Sequence, residues 1–169
     1  MPKQWDFTNK TLAQYADGPA ILESAIQGLS ASDLDLSLTS DSWSIRQIVH
    51  HLADGDEIWK MCIKAALGNE QGLFSLLWYW EKPQVDWSQS WHYTGRDIDS
   101  SLALLRANRN QIVELINQTP GAWEKSIRLQ RPEGQEERIT VGHVLEMQVR
   151  HVAEHILDIQ KICQAHMIV

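Results

Sequence analysis

Apolar residues recur at helical spacing in four separate stretches of this chain, with polar residues between them. This periodicity predicts four long helices, over residues 19–29, 44–67, 97–117 and 140–166. Asp97 and Thr140 stand where an N-cap is expected, and Ser42 or Ser44 can cap the second helix. Four long helices joined by loops, without alternating strands, predict an all-α fold in which residues 1–169 form a single domain, a four-helix bundle.

The connecting segments interrupt the helical pattern. Asp17-Gly18-Pro19 is a turn signal, so the first helix is expected to begin there. Residues 69–97 are the least regular part: L-F-S-L-L-W-Y-W predicts a short helix closed by Glu81-Lys82-Pro83, and the remainder predicts a loop. Residues 122–138 combine an alternating I-R-L-Q-R with a proline and a glycine, which predicts a solvated turn or small hairpin.

Tryptophan is concentrated in the connection between the second and third helices. Residues 74–93 hold four of the chain's eight tryptophans: Trp78, Trp80, Trp87 and Trp91. A long aromatic segment in a compact domain often serves as a lid, a binding loop or an interface. The same residues could instead fill gaps over a helix pair, and the sequence leaves both interpretations open.

Charge and composition narrow the classes of function. The 169 residues carry a formal net charge of −7, and 43% of them are apolar. An acidic surface argues against a nucleic acid or an anionic membrane as partner, because both require a basic patch. No stretch approaches the roughly 20 apolar residues of a membrane-spanning helix, and the first residues lack the apolar core of a signal peptide. We therefore expect a cytoplasmic protein that acts on a small molecule.

Histidines on two predicted helices could bind a metal ion. His151 and His155 are four residues apart, which places them on one face of the last helix, at the inner edge of its apolar stripe. On the second helix His51 lies at the edge of the stripe, whereas His50 points to nearly the opposite side. Three inward imidazoles are costly to bury without partners, and one shared divalent metal would satisfy them together. Alternatively, each is a core histidine bonded to a carbonyl or a carboxylate.

Three neighbours of these histidines have candidate roles. Gly55 follows His51 by one turn, so it either leaves room beside the imidazole or allows a helix to pack closely. Asp158 lies two turns after His151, from where it could orient that ring or take part in proton transfer, unless it is simply an exposed carboxylate. Glu154 completes an H-x-x-E-H pattern, but it is turned away from the ligand face. Too few residues follow for the further acidic ligand that such proteases need.

Two motifs resemble the DinB/YfiT-like superfamily. W-S-I-R-Q-I-V-H-H-L-A-D (Trp43–Asp54) is similar to its signature, and H-V-A-E-H-I-L-D-I (His151–Ile159) is similar to its last-helix motif H-x-x-x-H-x-x-x-I. The resemblance covers roughly residues 12–165. It implies a four-helix bundle with up-down-down-up connectivity that often forms a homodimer; Asp158 departs from the glutamine that related chains often carry. It also implies a three-histidine metal site, which falls on His51, His151 and His155.

The resemblance implies more than one activity. Some members are S-transferases or isomerases that use low-molecular-weight thiols, and others are described as metal-dependent hydrolases or damage-inducible proteins. Three imidazoles with an open position suit catalytic zinc or nickel. We hypothesise that a small thiol binds there as thiolate and attacks an electrophile held under the aromatic segment, with Arg46 or Arg150 available for the thiol's carboxylates. The alternatives are a hydrolase that activates water at the metal and a non-catalytic, stress-related binding protein.

Overall fold

The computed structural model describes residues 4–168, with side chains described from residue 8 onward. In chain order its elements are α1 (Gln4–Ile26), α2 (Ala31–Leu34), α3 (Ile45–Gly68), β1 (Leu73–Ser75), α4 (Leu77–Trp80), α5 (Gln84–Ser90), α6 (Asp99–Gln118), β2 (Ser126–Gln130), β3 (Glu136–Thr140) and α7 (Val141–Ala165). A single 3-10 turn at Pro132–Gly134 joins β2 to β3. None of the described helices is long and apolar enough to cross a membrane.

Side-chain caps start the long helices close to where the sequence predicts them. Ser44 accepts a hydrogen bond from the backbone N–H of Gln47, whose side chain bonds back to Ser44 in a capping box. Thr140 likewise accepts from the backbone N–H of His143 at the start of α7. The predicted beginnings of these two helices are therefore confirmed.

The four long helices pack into one bundle. α3 packs against α6 and α7, and α1 packs against the same two helices. His50 bonds Ser101 near the start of α3 and α6, and Asp56 pairs with Arg109 further along both helices. Since these contacts occur in the same order along the chain, α3 and α6 run parallel. The up-down-down-up order of all four helices stays a prediction.

The first helix does not begin at the predicted turn, because α1 continues through Gly18 and Pro19. Proline has no N–H, so the carbonyl of Tyr15, four residues earlier, loses its helical partner. Arg109 on α6 replaces that partner, since its Nη1 donates to the Tyr15 oxygen at 2.9 Å. A Cβ on Gly18 would lie 2.1 Å from the same Nη1. Asp17-Gly18-Pro19 is therefore not a turn but the part of α1 against which the Arg109 guanidinium packs.

The fold is mostly helical, as predicted, and a small sheet that the sequence does not predict is added to the bundle. The three strands form one sheet in the order β1-β2-β3. β1 pairs with β2 in parallel and β2 pairs with β3 antiparallel. Ile127 and Leu129 on β2 are buried in the core, at 2% and 0% exposure. The hairpin is therefore packed on one face and is not the solvated excursion that the sequence predicts.

The aromatic connection is more ordered than a loop. The part predicted as loop contains α5, and the part predicted as a short helix divides into β1 and α4. Tyr79 stacks on Trp87 and Trp91, with ring centroids 5.8 and 6.3 Å apart. Tyr93 is buried and lies against His50, with centroids 5.3 Å apart, whereas Trp78 is half exposed. These rings pack the segment against α3.

Candidate metal centre

The structure brings His51 of α3 together with His151 and His155 of α7. The Nε2 atoms of His51 and His151 are 2.9 Å apart. One ring nitrogen from each of the three residues lies within 4.8 Å of the other two. No carboxylate or cysteine among the described residues joins this group, which we call the histidine cluster.

Trp43 holds the histidine cluster from one side. It immediately precedes the Ser44 cap of α3, so the start of the helix fixes its position. Its ring lies edge-on to His51, with centroids 4.5 Å apart, and nearly parallel to His155, with centroids 6.4 Å apart. An indole in contact with two imidazoles restricts their rotation. The sequence pattern does not predict this role for Trp43, although the residue stands first in the motif around His51.

The surroundings favour the neutral form of all three imidazoles. The pKa of His51 is lowered to about 3, mainly by burial and in smaller part by the neighbouring His151 and His155. Burial also lowers the pKa of His151 to about 4, with additional contributions from His155 and the Arg109 guanidinium. For His155 burial lowers the pKa, and the carboxylate of Asp158 opposes that shift. At neutral pH each ring therefore keeps a nitrogen lone pair, as a metal ligand requires.

The nitrogens of the histidine cluster fit a divalent cation. Two ring nitrogens 2.9 Å apart need either a shared proton or a cation, because facing lone pairs repel. The distance is close to the roughly 3.3 Å between two nitrogens bound to one tetrahedral zinc. Three neutral imidazoles without a fourth protein ligand are the donor set of an open, catalytic type of site.

Asp158 lies beside His155 rather than His151, which corrects its predicted position. Its Oδ2 is 3.6 Å from Nδ1 of His155, too long for a hydrogen bond. Its Oδ1 accepts a hydrogen bond of 2.9 Å from Lys161. A small rotation would let Asp158 accept from Nδ1, the usual way in which a carboxylate orients a ligating histidine.

His50 is buried, although the sequence pattern places it away from the bundle. Its Nδ1 lies 2.8 Å from the Ser101 hydroxyl of α6, and its Nε2 lies 3.3 Å from the Arg96 carbonyl. α3 is covered by α6 on one side and by α7 on another, so its buried arc is wider than its apolar stripe. His50 is therefore a satisfied core histidine outside the cluster.

A cleft of about 460 Å³ opens beside His51 and His151. We call it the first cleft; its other lining residues are Gly55, Trp59, Tyr79, Trp80, Gln84, Met147, Gln148, Arg150 and Glu154. Tyr79 and Trp80 bring the aromatic connection to this opening, so the segment both packs against α3 and lines the cleft. Of the two arginines considered from sequence, only Arg150 lines the cleft. Arg46 is bound to Asp35, at 2.6 Å, and to two backbone carbonyls.

The bundle and its histidine cluster define a helical protein with a candidate metal centre. Residues 14–159 match the DinB superfamily, and the chain belongs to that superfamily. A relative from Oceanobacillus iheyensis, named "Putative metal-dependent hydrolase", is 26% identical over 157 residues, which cover 92% of this chain and 86% of the relative. YfiT of Bacillus subtilis has the same description and is 29% identical over 144 residues, covering 85% of this chain and 77% of YfiT.

The solved structure of Bacillus subtilis YfiT is similar along nearly the whole chain. The TM-score is 0.80 at 25% sequence identity, and the match covers 98% of this chain and 90% of YfiT. YfiT is described there as a probable metal-dependent hydrolase with an unusual four-helix bundle topology. The resemblance drawn from the two sequence motifs is thus confirmed at the level of the superfamily.

Proposed function

We propose that this protein is a metal-dependent enzyme that acts on small molecules at the histidine cluster. The observation that carries the proposal is the convergence of three neutral imidazoles, without a fourth protein ligand, beside an open cleft. A purely structural metal site would be closed by four protein ligands. The names of the relatives support metal dependence in the same broad sense.

His51, His151 and His155 would hold the cation, zinc or nickel by ligand type. When bound, it would act as a Lewis acid that lowers the pKa of a coordinated thiol or water. Trp43 keeps two of the rings in place, and Asp158 is placed to accept the Nδ1 proton of His155. Neither residue needs to react; both fix the direction of the nitrogen lone pairs.

Our preferred reaction is S-transfer from a low-molecular-weight thiol to an electrophile. The thiol sulfur forms a bond to the electrophilic carbon, the leaving group departs with its bonding electron pair, and the thiol proton passes to solvent. The first cleft supports this choice because it is large enough for a small polar thiol and carries the exposed Arg150 on its wall. No ion pair engages Arg150 in the described part of the chain, so its guanidinium is available for a thiol's carboxylate.

Hydrolysis is the second candidate, and Glu154 is the observation that favours it. Its side chain lines the first cleft with His51 and His151, although the helical pattern turns it away from the ligand face. A carboxylate at that position could take a proton from an attacking water. Hydrolysis also agrees with the printed names of the relatives.

Elemental analysis of the protein purified without an affinity tag tests the proposal. We expect close to one divalent metal per chain, lost in His51→Ala and in His155→Ala with the helical circular-dichroism signal retained. His143→Ala, an exposed histidine on the same helix, is the matched control and should keep the metal. A parent protein that binds neither zinc nor nickel after incubation would overturn the proposal.

Activity measurements on the metal-loaded protein then separate the two reactions. Glutathione with 1-chloro-2,4-dinitrobenzene tests S-transfer, and 4-nitrophenyl acetate tests hydrolysis. S-transfer predicts that Arg150→Ala raises the KM for glutathione while Glu154→Gln has little effect. Hydrolysis predicts that Glu154→Gln lowers kcat for the ester, while Arg150→Ala has little effect.

A further inference from the structure

A second cleft of about 320 Å³ reaches the histidine cluster from a different part of the surface. It is lined by Leu38, Ser42, Trp43, Ile48, His155, Asp158, Lys161 and Ile162. It shares no lining residue with the first cleft, which meets the cluster at His51 and His151. Trp43, which contacts His51 and His155, forms one wall. Its volume lies within the roughly 300–1,000 Å³ of small-molecule sites.

The lining of the second cleft is chemically different from that of the first. Its floor is the surface of the core, because Ile48 and Ile162 are only 3% and 2% exposed. Leu38 stands at its lip and is 50% exposed. The surface offered to a ligand is therefore mainly aliphatic and indole.

The charges at the rim of the second cleft cancel each other. Lys161 donates to Asp158 at 2.9 Å, so neither side chain is left to attract an ion of opposite sign. The first cleft, by contrast, carries two charged side chains, Arg150 and Glu154, that have no ion-pair partner among the described residues. An uncharged ligand thus fits the second cleft better than a carboxylate or an amine.

We propose that the second cleft binds an uncharged, largely apolar small molecule, and that this molecule is the electrophile of the S-transfer reaction. The thiol would enter by the first cleft, and the two reactants would meet at the histidine cluster from separate openings. The pocket itself stands on its geometry, whereas the role of its ligand rests on the proposed function. This assignment replaces our expectation from sequence that the electrophile lies under the aromatic segment.

Fluorobenzene is the probe for the first experiment, because it is uncharged and apolar and its fluorine NMR signal reports binding. Leu38→Glu places a charge at the lip and removes an apolar wall, so we expect it to weaken binding about ten-fold. Val85→Glu is the matched control, since Val85 is 46% exposed and lines neither cleft. Equal binding of the probe by the parent and by Leu38→Glu would overturn the second cleft as a ligand site.

Loading the protein with cobalt locates the bound probe relative to the histidine cluster. A paramagnetic ion there should broaden the fluorine signal of the bound probe, and zinc loading should not. If cobalt binds and a Leu38-dependent probe shows no broadening, the ligand is too far from the cluster to be the electrophile. If no cobalt binds, the proposed function fails, and the comparison of Leu38→Glu with Val85→Glu still decides the pocket.

Steady-state kinetics give a crossed test of the two clefts. Leu38→Glu should raise the KM for 1-chloro-2,4-dinitrobenzene several-fold and leave the KM for glutathione unchanged. Arg150→Ala should do the opposite. If both variants shift the KM for the same reactant, the two reactants do not use separate clefts.

Discussion

The histidine cluster and the group around Arg109 are both buried polar regions of the same bundle, yet they differ in where their partners come from. Arg109 is fully buried, and its Nε donates to Asp56 at 2.9 Å. Its two Nη atoms donate to backbone oxygens of Tyr15 and Gln148, at 2.9 and 3.4 Å. Its guanidinium also lies 4.4 Å from the centre of the Tyr15 ring. The protein itself thus supplies the partners of this cation.

The facing nitrogens of the histidine cluster, unlike the Arg109 guanidinium, are not paired with groups of opposite charge from the described part of the protein. Those of His51 and His151 lie at close range to one another. The two regions are neighbours, because Gln148 is one turn before His151 and Asp56 follows Gly55, which packs on His151. A buried cation that the protein itself pairs contributes to the fold, whereas facing imidazole nitrogens with no protein cation between them are suited to an external one.

Asp56→Asn should have the largest effect on stability. It removes the anion opposite a buried guanidinium, and leaving one charge of a buried pair uncompensated typically costs about 3–5 kcal/mol. Urea unfolding of the metal-free protein measures the loss. The control is Asp35→Asn, which breaks the pair between Arg46 and an aspartate that is 57% exposed, and it should cost less than about 1 kcal/mol. Similar losses in both variants would mean that Arg109 does not depend on Asp56.

Acidification should destabilise the metal-free protein through the histidine cluster. The pKa of His51 falls from 6.5 to about 3 on folding, so below pH 6.5 the unfolded chain binds a proton that the folded chain does not. This contribution to stability is present above pH 6.5 and is lost as the pH falls toward 3. Between pH 7.5 and pH 4.5, His51 alone should lower the free energy of unfolding by about 2–3 kcal/mol, since each pH unit below 6.5 costs roughly 1–1.5 kcal/mol.

Urea titrations of the chelator-treated protein across this pH range measure the slope. His51→Ala should lose less stability on acidification than the parent, with the remaining loss due to His151 and His155, and the exposed control His143→Ala should follow the parent. A His51→Ala variant with the parent's slope would place the acid sensitivity elsewhere in the molecule.

The features predicted well from sequence are local ones. Caps at Ser44 and Thr140 and the apolar stripes of α3 and α7 depend on residues within a few positions of each other. The approach of His51 to His151 could also be predicted, because each stands at the inner edge of a long amphipathic helix. The sequence pattern predicts Asp158 beside His151, whereas the structure has it beside His155, because the choice between the two rings depends on side-chain rotamers.

The features missed depend on contacts between distant segments. β1 pairs with β2 in parallel, so that Leu73 lies beside Arg128, more than fifty residues later in the chain. No local sequence pattern predicts a parallel pair of that kind. The uninterrupted course of α1 depends on Arg109, which lies on another helix. One signal was available: Arg109 follows the buried Leu105 by four residues and precedes the buried Ile112 by three, so it occupies the apolar stripe of α6.

Two glycines give the most sensitive comparison of the Arg109 group with the histidine cluster. Gly18 lies against Arg109, and Gly55 lies against His151. A Cβ on Gly18 would lie 2.1 Å from Nη1 of Arg109, which Asp56 and the Tyr15 carbonyl hold in place, so Gly18→Ala should destabilise by about 1–3 kcal/mol. A Cβ on Gly55 would lie 3.8 Å from Cε1 of His151, an ordinary contact. Gly55→Ala should therefore raise stability by about 0.4–1 kcal/mol, as alanine is the better helix former, and leave the metal content unchanged. Urea unfolding and elemental analysis of both variants measure this. Loss of metal in Gly55→Ala would show instead that the cluster needs the space that glycine leaves beside the imidazole.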